Sequence, residues 1–549
     1  MKKKISLLIL LAITFLGFVI RAYKLDIYPV HLGHDEVSML YDGISIAETG
    51  KDIYGNKYPF IFISVEDYKA PFYTYATAFS YLIFGWQEKT VRIPGVIFGV
   101  LVIPAVYFFI LQLFNNRKIA LFSAFFTSVA PFEIFYSRKS FENQPGIAFL
   151  LLGSGLLLYS FKNKHNKIRF ISGVAISALG MYTYFSHAIL IPMLLLSLIV
   201  IFRKHTSKYW LTAIFTFLLA SLPLYYLIYK HPEATFRSKS VSIFQDRKIY
   251  NTLESWNIEN NKIRNLAKYS LTFTASIQRF FEHLSPDYLF LNGLDLTNRE
   301  YLDVGILYPY QSILLVIGIY FLFKQKEYNQ QKLLIAVWLV ISLLPSALTF
   351  EDRSSHRSIL ANSLLNIICA VGFYYLLILV NKFSKSKFIR LSFYFGSLGI
   401  FIYFLTYFLL IYTIDYPYEK SLYLQYPFKQ ASEYIWSNYD KYDQIIFDPK
   451  FGEDAPFIGV GAQYYIAFYG KYPPEKLQRL YKQGDTNRRE SVLEKIRIRA
   501  VYWQEDKNLK NSLIIASPWS LEMGNIKQEQ IIGNIKFYNN KIAFFIIEP

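Results

Sequence analysis

A chain of 549 residues that is 53% hydrophobic and 19% aromatic but only 18% charged is too apolar for an ordinary water-soluble enzyme and calls for a membrane. Its single cysteine, Cys369, lies in an apolar segment and excludes an intrachain disulfide or a cysteine-based metal cluster. The net charge of +18 would suit nucleic acid only if it were gathered on a folded face, so its distribution decides.

Apolar segments run at about 5–20, 93–114, 119–136, 144–161, 170–185, 188–202, 210–229, 306–323, 333–350, 359–380 and 391–414. Most are long enough to cross about 30 Å of hydrocarbon. The run from Pro71 to Gly85, 15 residues ending at Trp86, is shorter and suits a helix lying in the interface. With eleven spans and a cytoplasmic N-terminus, the cytoplasmic pieces are 1–4, 115–118, 162–169, 203–208, 324–332 and 382–390. They carry 19 Lys and Arg against one acid, Glu327, and the remainder balances at 39 basic and 39 acidic residues. The basic excess is therefore positive-inside topology, and no nucleic-acid partner is expected. The opening triple lysine before an apolar run looks like a secretion signal, but no small-x-small site precedes Arg21, so it reads as an uncleaved first span.

This topology gives the opposite face a first loop (21–92), a middle loop (230–305), a tail (415–549), and short turns at 137–143, 186–187 and 351–358. In the first loop, Val37, Leu40, Tyr41, Ile44 and Ala47 recur at helical spacing and Gly50 ends the pattern, which predicts a short amphipathic helix. Asp35 and Glu36 stand at its start, where they either cap the helix against its dipole or form a reactive acid pair. His31 and His34 beside them match no zinc signature and suit polar packing better than ligation. In the second turn, Glu142 is either the second acid of the same site or one half of an interfacial pair with Arg138.

Several motifs in order carry a resemblance: Asp35-Glu36 after the first span, Thr49-Gly-Lys-Asp-Ile-Tyr-Gly55, Tyr68-Lys-Ala-Pro71, Val91-Arg-Ile-Pro94, Ser137-Arg138 with Glu142, Tyr182-Thr-Tyr184, Ser285-Pro-Asp287 with Phe290, and His356-Arg357. Over about residues 5–380 the chain resembles bacterial GT-C glycosyltransferases of family 39, the branch of protein O-mannosyltransferases and the aminoarabinose transferase of lipid A. The resemblance implies an all-α polytopic membrane domain (1–414) of about eleven spans in the cell membrane, multi-pass, used on its outer face. It implies a polyprenyl-phosphate sugar as donor and an acceptor hydroxyl on a protein, lipid or glycan. It assigns Asp35 as base, Glu36 as the residue orienting Asp35 or the acceptor, and Lys69, Arg357, His356 and Arg138 as contacts of the donor phosphate. Glu142, with Asp35, would hold a divalent metal ion. Two departures are Ala70 where relatives carry a second proline, and Glu142 where they often carry Asp.

No nucleotide cofactor is expected, since a sugar on a membrane-bound phosphate needs none and Gly459-Val-Gly461 lacks the rest of a dinucleotide fingerprint. For Lys69 the alternative is an interfacial lysine reaching for water. Tyr182 and Tyr184 suit an aromatic belt, Arg237 and Lys239 suit a solvated loop with a lipid-phosphate contact as the alternative, and Asp287 suits a structural role. The tail predicts a small extracytoplasmic α/β domain (415–549), with strands at 444–447, 500–503, 512–516 and 542–547 and helices at 428–439 and 475–482. It would cover the reactive face or help choose the acceptor. A lipid or polysaccharide transporter would carry ionisable groups in mid-span, whereas here they sit at the ends, which favours the enzyme. A glycosyltransferase fold retired to a binding scaffold stays open.

Overall fold

The computed structural model describes residues 2–549 apart from 65–66, 163–166, 204–208, 294–301, 303, 352, 423, 453–455, 483–485, 488–489 and 522–525. The chain opens with α1 (Lys3–Ala22), α2 (His34–Thr49), a hairpin of β1 (Phe62–Ile63) with β2 (Tyr68–Lys69), α3 (Pro71–Phe84) and α4 (Lys89–Phe114). It continues through α5 (Arg117–Val129), α6 (Pro131–Arg138), α7 (Gln144–Lys162), α8 (Lys167–Leu179) and α9 (His187–Ile201). Further long helices cover Trp210–Lys230, Gln311–Lys324, Asn329–Ala347, Ile359–Phe383 and Lys387–Leu410.

A helix forms at every apolar segment, and among the described residues seven are long and apolar enough to cross a membrane, or eight with the α5–α6 pair. Their outward faces keep large apolar side chains bare, Leu7, Leu8, Leu11 and Phe15 on α1 for example, which only a lipid solvent rewards. Three expected spans come out short. The segments at 170–185, 188–202 and 306–323 form helices of 13, 15 and 14 residues, below the roughly 20 that cross a bilayer unaided. The 71–85 run forms the 14-residue α3, packed on α2 and α4.

The α5–α6 span is broken by 54° because Ala130, which precedes Pro131, takes an extended conformation. The break frees carbonyls at the end of α5, and Arg21 answers them. It is fully buried and donates to the carbonyls of Ser128 at 2.8 Å and Thr127 at 3.2 Å. Tyr308 Oη donates to the Val129 carbonyl at 2.8 Å. A kink near the end of a span is thus tolerated by satisfying its backbone internally.

The tail carries β3 (Gln444–Phe447), the small pair β4 (Lys450–Phe451) and β5 (Phe457–Ile458), β6 (Thr486–Asn487), β7 (Glu490–Leu493), β8 (Ile496–Ile498), β9 (Ser512–Ala516), β10 (Ile531–Lys536) and β11 (Ile542–Ile547), of which all but β4 and β5 form a seven-stranded sheet in the order β10-β11-β9-β3-β8-β7-β6. The central β3 runs parallel to β8 and β9. Of the predicted elements, the strands at 444–447, 512–516 and 542–547 and both helices form. The expected strand at 500–503 does not: its last residue begins the helical turn Trp503–Asp506, fixed by Arg499 paired with Asp506 at 2.7 Å. The domain sits on α2, where Tyr41 Oη donates to the Tyr472 carbonyl at 2.6 Å, Tyr465 Oη to Leu32 at 2.7 Å, and Trp86 Nε1 to Phe468 at 2.9 Å. One apolar cluster runs from α2 through the sheet, so the first loop is clamped between membrane helices and tail.

Candidate active site

The site forms where the first loop meets the turns at the ends of the helices away from the basic loops. Extended Ala70 before Pro71, with proline opening α3, is the backbone that X-Pro prefers. It fixes Lys69 at the end of β2, and Ser38 Oγ bonded to Ser64 Oγ at 2.8 Å ties α2 to the same hairpin. Lys69 is buried, and its Nζ lies 3.1 Å from Asp35, 3.2 Å from Glu142 and 3.6 Å from Asp67. One ammonium thus gathers three carboxylates.

The electrostatics follow from that sharing. Burial pulls the Lys69 ammonium toward neutrality, but Asp35, Glu142 and Asp67 reverse the shift and hold it well above its ordinary value. Burial raises Asp35, yet Lys69 and then His34 outweigh it and keep the carboxyl far below the usual range. Glu142 goes the other way. Burial lifts it, Lys69 only partly offsets that, and the neighbouring Asp35 adds to it, so it is pushed up to about 7. The two acids on one lysine therefore divide: Asp35, 46% exposed at its side chain, stays ionised, and buried Glu142 titrates near neutrality.

The turn before the Ile359–Phe383 helix closes the far side. Asn143 Nδ2 donates to the His356 carbonyl, and Tyr136 Oη pairs with Ser355 Oγ. His356 is pushed well below its ordinary value by burial, with Arg357 and Lys69 adding to it, and so is neutral. Arg357 pairs with Glu351 at 2.6 Å and lies close enough to Tyr184 to act on its titration. Asp35, Lys69, Glu142, His356 and Arg357, named from sequence, are thus brought together.

Glu36 and Arg138 are not. Glu36 is buried behind the helix start, where it accepts from Arg92 Nε at 3.2 Å, Ser140 Oγ at 3.0 Å and the Gly33 amide at 2.9 Å. Arg92 in turn donates to the carbonyls of Leu25, Pro29 and His31. Glu36 therefore anchors the segment leading into α2 instead of orienting Asp35. Arg138 donates to the carbonyls of Ile20, Arg21, Tyr23 and Tyr28 at 2.8–2.9 Å, capping α1 with the donors assigned to phosphate. The motif arginines hold backbone because a carbonyl array at a helix end needs a planar, five-donor cation.

The expected metal set fares differently as well. Among the described residues no three His, Cys, Asp or Glu groups are placed to hold a metal ion. Asp35 and Glu142 do converge, but on Lys69 Nζ, and an ion would have to displace that ammonium. The donor set does not fit a metal.

Sequence reasoning missed Asp67 and Glu351, and weighed Arg237 as a loop charge. Arg237 Nη2 in fact lies 3.4 Å from Glu351. Asp287 is paired with Arg353 at 2.7 Å.

Residues 68–227 match the family of dolichyl-phosphate-mannose-protein mannosyltransferases. Among solved structures, ArnT from Cupriavidus metallidurans in the apo state is similar at 12% identity over 98% of this chain and 97% of that one, with a TM-score of 0.55. The same enzyme bound to undecaprenyl phosphate gives 0.54, at 12% identity over 100% and 98%. The apo oligosaccharyltransferase from Archaeoglobus fulgidus gives 0.50 at 14% identity, over 85% of this chain and 64% of that one. Among proteins of curated function, none matches.

Proposed function

We propose that this GT-C-fold, family 39-like membrane protein transfers a sugar from a polyprenyl phosphate to an acceptor hydroxyl, on the membrane face opposite its basic loops. The observation that carries the reading is Lys69, a buried ammonium held between an ionised and a titrating carboxylate at the end of the bundle. ArnT, which has this fold, has been solved with undecaprenyl phosphate bound, and the clustered cations here suit the same chemistry.

In this reading the donor's phosphate docks against Lys69 and Arg357, with Tyr184 and neutral His356 offering hydrogen bonds. The acceptor oxygen attacks the anomeric carbon, the bond from that carbon to the phosphate oxygen breaks, and the lipid phosphate leaves with the electron pair. Asp35 takes the acceptor's proton. While paired with Lys69 it is a poor base. A phosphate drawing on the ammonium weakens that pair and raises the basicity of Asp35 when substrate is present. Stabilising the departing phosphate is worth on the order of 10² to 10³ in rate per donor. Direct displacement with one base inverts the anomeric centre, and no step requires a metal. The tail domain, clamped on α2, flanks the acceptor side.

The test is binding of undecaprenyl phosphate to the purified protein. Measured on the folded fraction, Lys69→Met should weaken it at least tenfold. Unchanged affinity would remove the phosphate site from this cluster.

A further inference from the structure

Glu351 reaches its position with its backbone already fixed. Its carbonyl accepts from Arg279 Nη1 at 2.7 Å, and Arg279 is itself paired with Asp246 at 3.0 Å. The preceding residues bond to the middle loop: the Phe350 amide to the Val241 carbonyl at 2.9 Å, and the Ile243 amide to Leu348 at 3.0 Å. From this anchor the carboxylate spans two guanidinium groups, that of Arg357 at 2.6 Å and that of Arg237 at 3.4 Å. Arg357 is nearly buried and adjoins Tyr184 and His356. Arg237 is about half exposed, on the short helix Phe236–Ser240. The turn just before that helix packs against β2, which carries Lys69, and Arg237 lies near enough to Asp35 to lower its pKa.

A carboxylate bridging two arginines occupies the N–H forks that would otherwise donate to the oxygens of a phosphate. Resting on the proposed function, we propose that Glu351 is a resident competitor for the donor phosphate: its carboxylate keeps Arg237 and Arg357 paired when the site is empty and takes them back when sugar transfer leaves a spent lipid phosphate. Phosphate binding then exchanges one anion for another across the same two cations. This costs affinity and speeds release, because the arginines never face one another uncompensated. It also makes the Phe236–Ser240 helix a flap whose tether to the bundle loosens when substrate enters.

The sign of the effect separates this role from a structural one. Removing the carboxylate from a merely structural ion pair weakens or leaves unchanged the binding of a phosphate, whereas removing a competitor strengthens it. In full-length protein reconstituted in phosphatidylcholine nanodiscs and titrated with undecaprenyl phosphate, Glu351→Gln should lower Kd about fivefold, the scale of one part-exposed ion pair, and slow dissociation to match. Arg357→Gln should raise Kd tenfold or more. Should Glu351→Gln fail to fold, Glu351→Asp decides instead, since the shorter carboxylate no longer spans both guanidinium groups and should bind the lipid phosphate more tightly than the parent. Equal or weaker binding by the folded variant overturns the competitor role. Absence of binding by the parent protein overturns the function it rests on, and the competitor with it.

Discussion

Glu142→Gln tests the electrostatics of the site without touching the proposed base. Burial and the charge of Asp35 raise Glu142 from 4.5 to about 7 despite the lysine 3.2 Å away. The folded protein therefore holds a proton there that the unfolded chain releases. Below pH 4.5 both states are protonated and the group costs nothing. As pH rises through the window up to about 7, the unfolded chain gains by ionising and the folded one does not. At about 1.4 kcal/mol per tenfold, stability falls by roughly 3 kcal/mol across that window and stays level above it. Glutamine removes the titration but keeps the shape. The assay is thermal or denaturant unfolding of the detergent-solubilised protein from pH 4 to 9, as the difference between parent and variant. The variant should be the more stable above pH 7 by up to that amount, in which the attraction to Lys69 is already included, and the two should converge near pH 4.5. A difference that does not change with pH would refute the burial and pairing assigned to Glu142.

Glu36→Ala leaves Arg92 buried without its carboxylate, which costs about 3–5 kcal/mol. The outcome is a loss of folded protein, and full abundance with a normal melting temperature would contradict the anchoring role. Gly95→Ala places a Cβ 2.6 Å from the Ser137 carbonyl, so α4 and α6 must part at a cost of about 1–3 kcal/mol. An unchanged melting temperature would show that the contact yields freely. For transfer itself, Asp35 in the empty site is held low by Lys69, so kcat/KM, which reports the free enzyme, should show no acid limb at the ordinary carboxylate value. A limb at pH 4 that Asp35→Glu displaces would contradict the pairing.

Much of the fold was legible because hydrocarbon imposes simple rules. Long apolar runs became helices, and Lys and Arg marked one set of ends. The helix at Val37–Glu48 was visible from its spacing and appears as α2, closed by Gly50 at φ 69°. The short helices were mispriced because apolar length alone ignores neighbours: α9 and the Gln311–Lys324 helix are shielded by protein on one side. The 22-residue helix Asn261–Glu282 was not seen, since its polar composition resembles a loop.

At the site, Asp35, Lys69 and Glu142 could be named from their motifs, but the direction of the motif arginines could not. Arg138 looks like a phosphate ligand in sequence, and only the carbonyls around it show that it serves the backbone, as Arg92 does. Glu351 gave no signal, because its role depends on Arg237, more than a hundred residues away. Nor could one sequence show that the acids expected to share a metal share a lysine.

The central claim is that Asp35, beside Lys69, takes the proton from an incoming hydroxyl. The direct measurement is mass spectrometry of cell-envelope glycans and glycoproteins from cells carrying the parent gene, no gene, or Asp35→Asn. The account predicts that a sugar present with the parent is lost without the gene and equally lost in Asp35→Asn, at undiminished protein abundance. Transfer at the parental level by Asp35→Asn would contradict it.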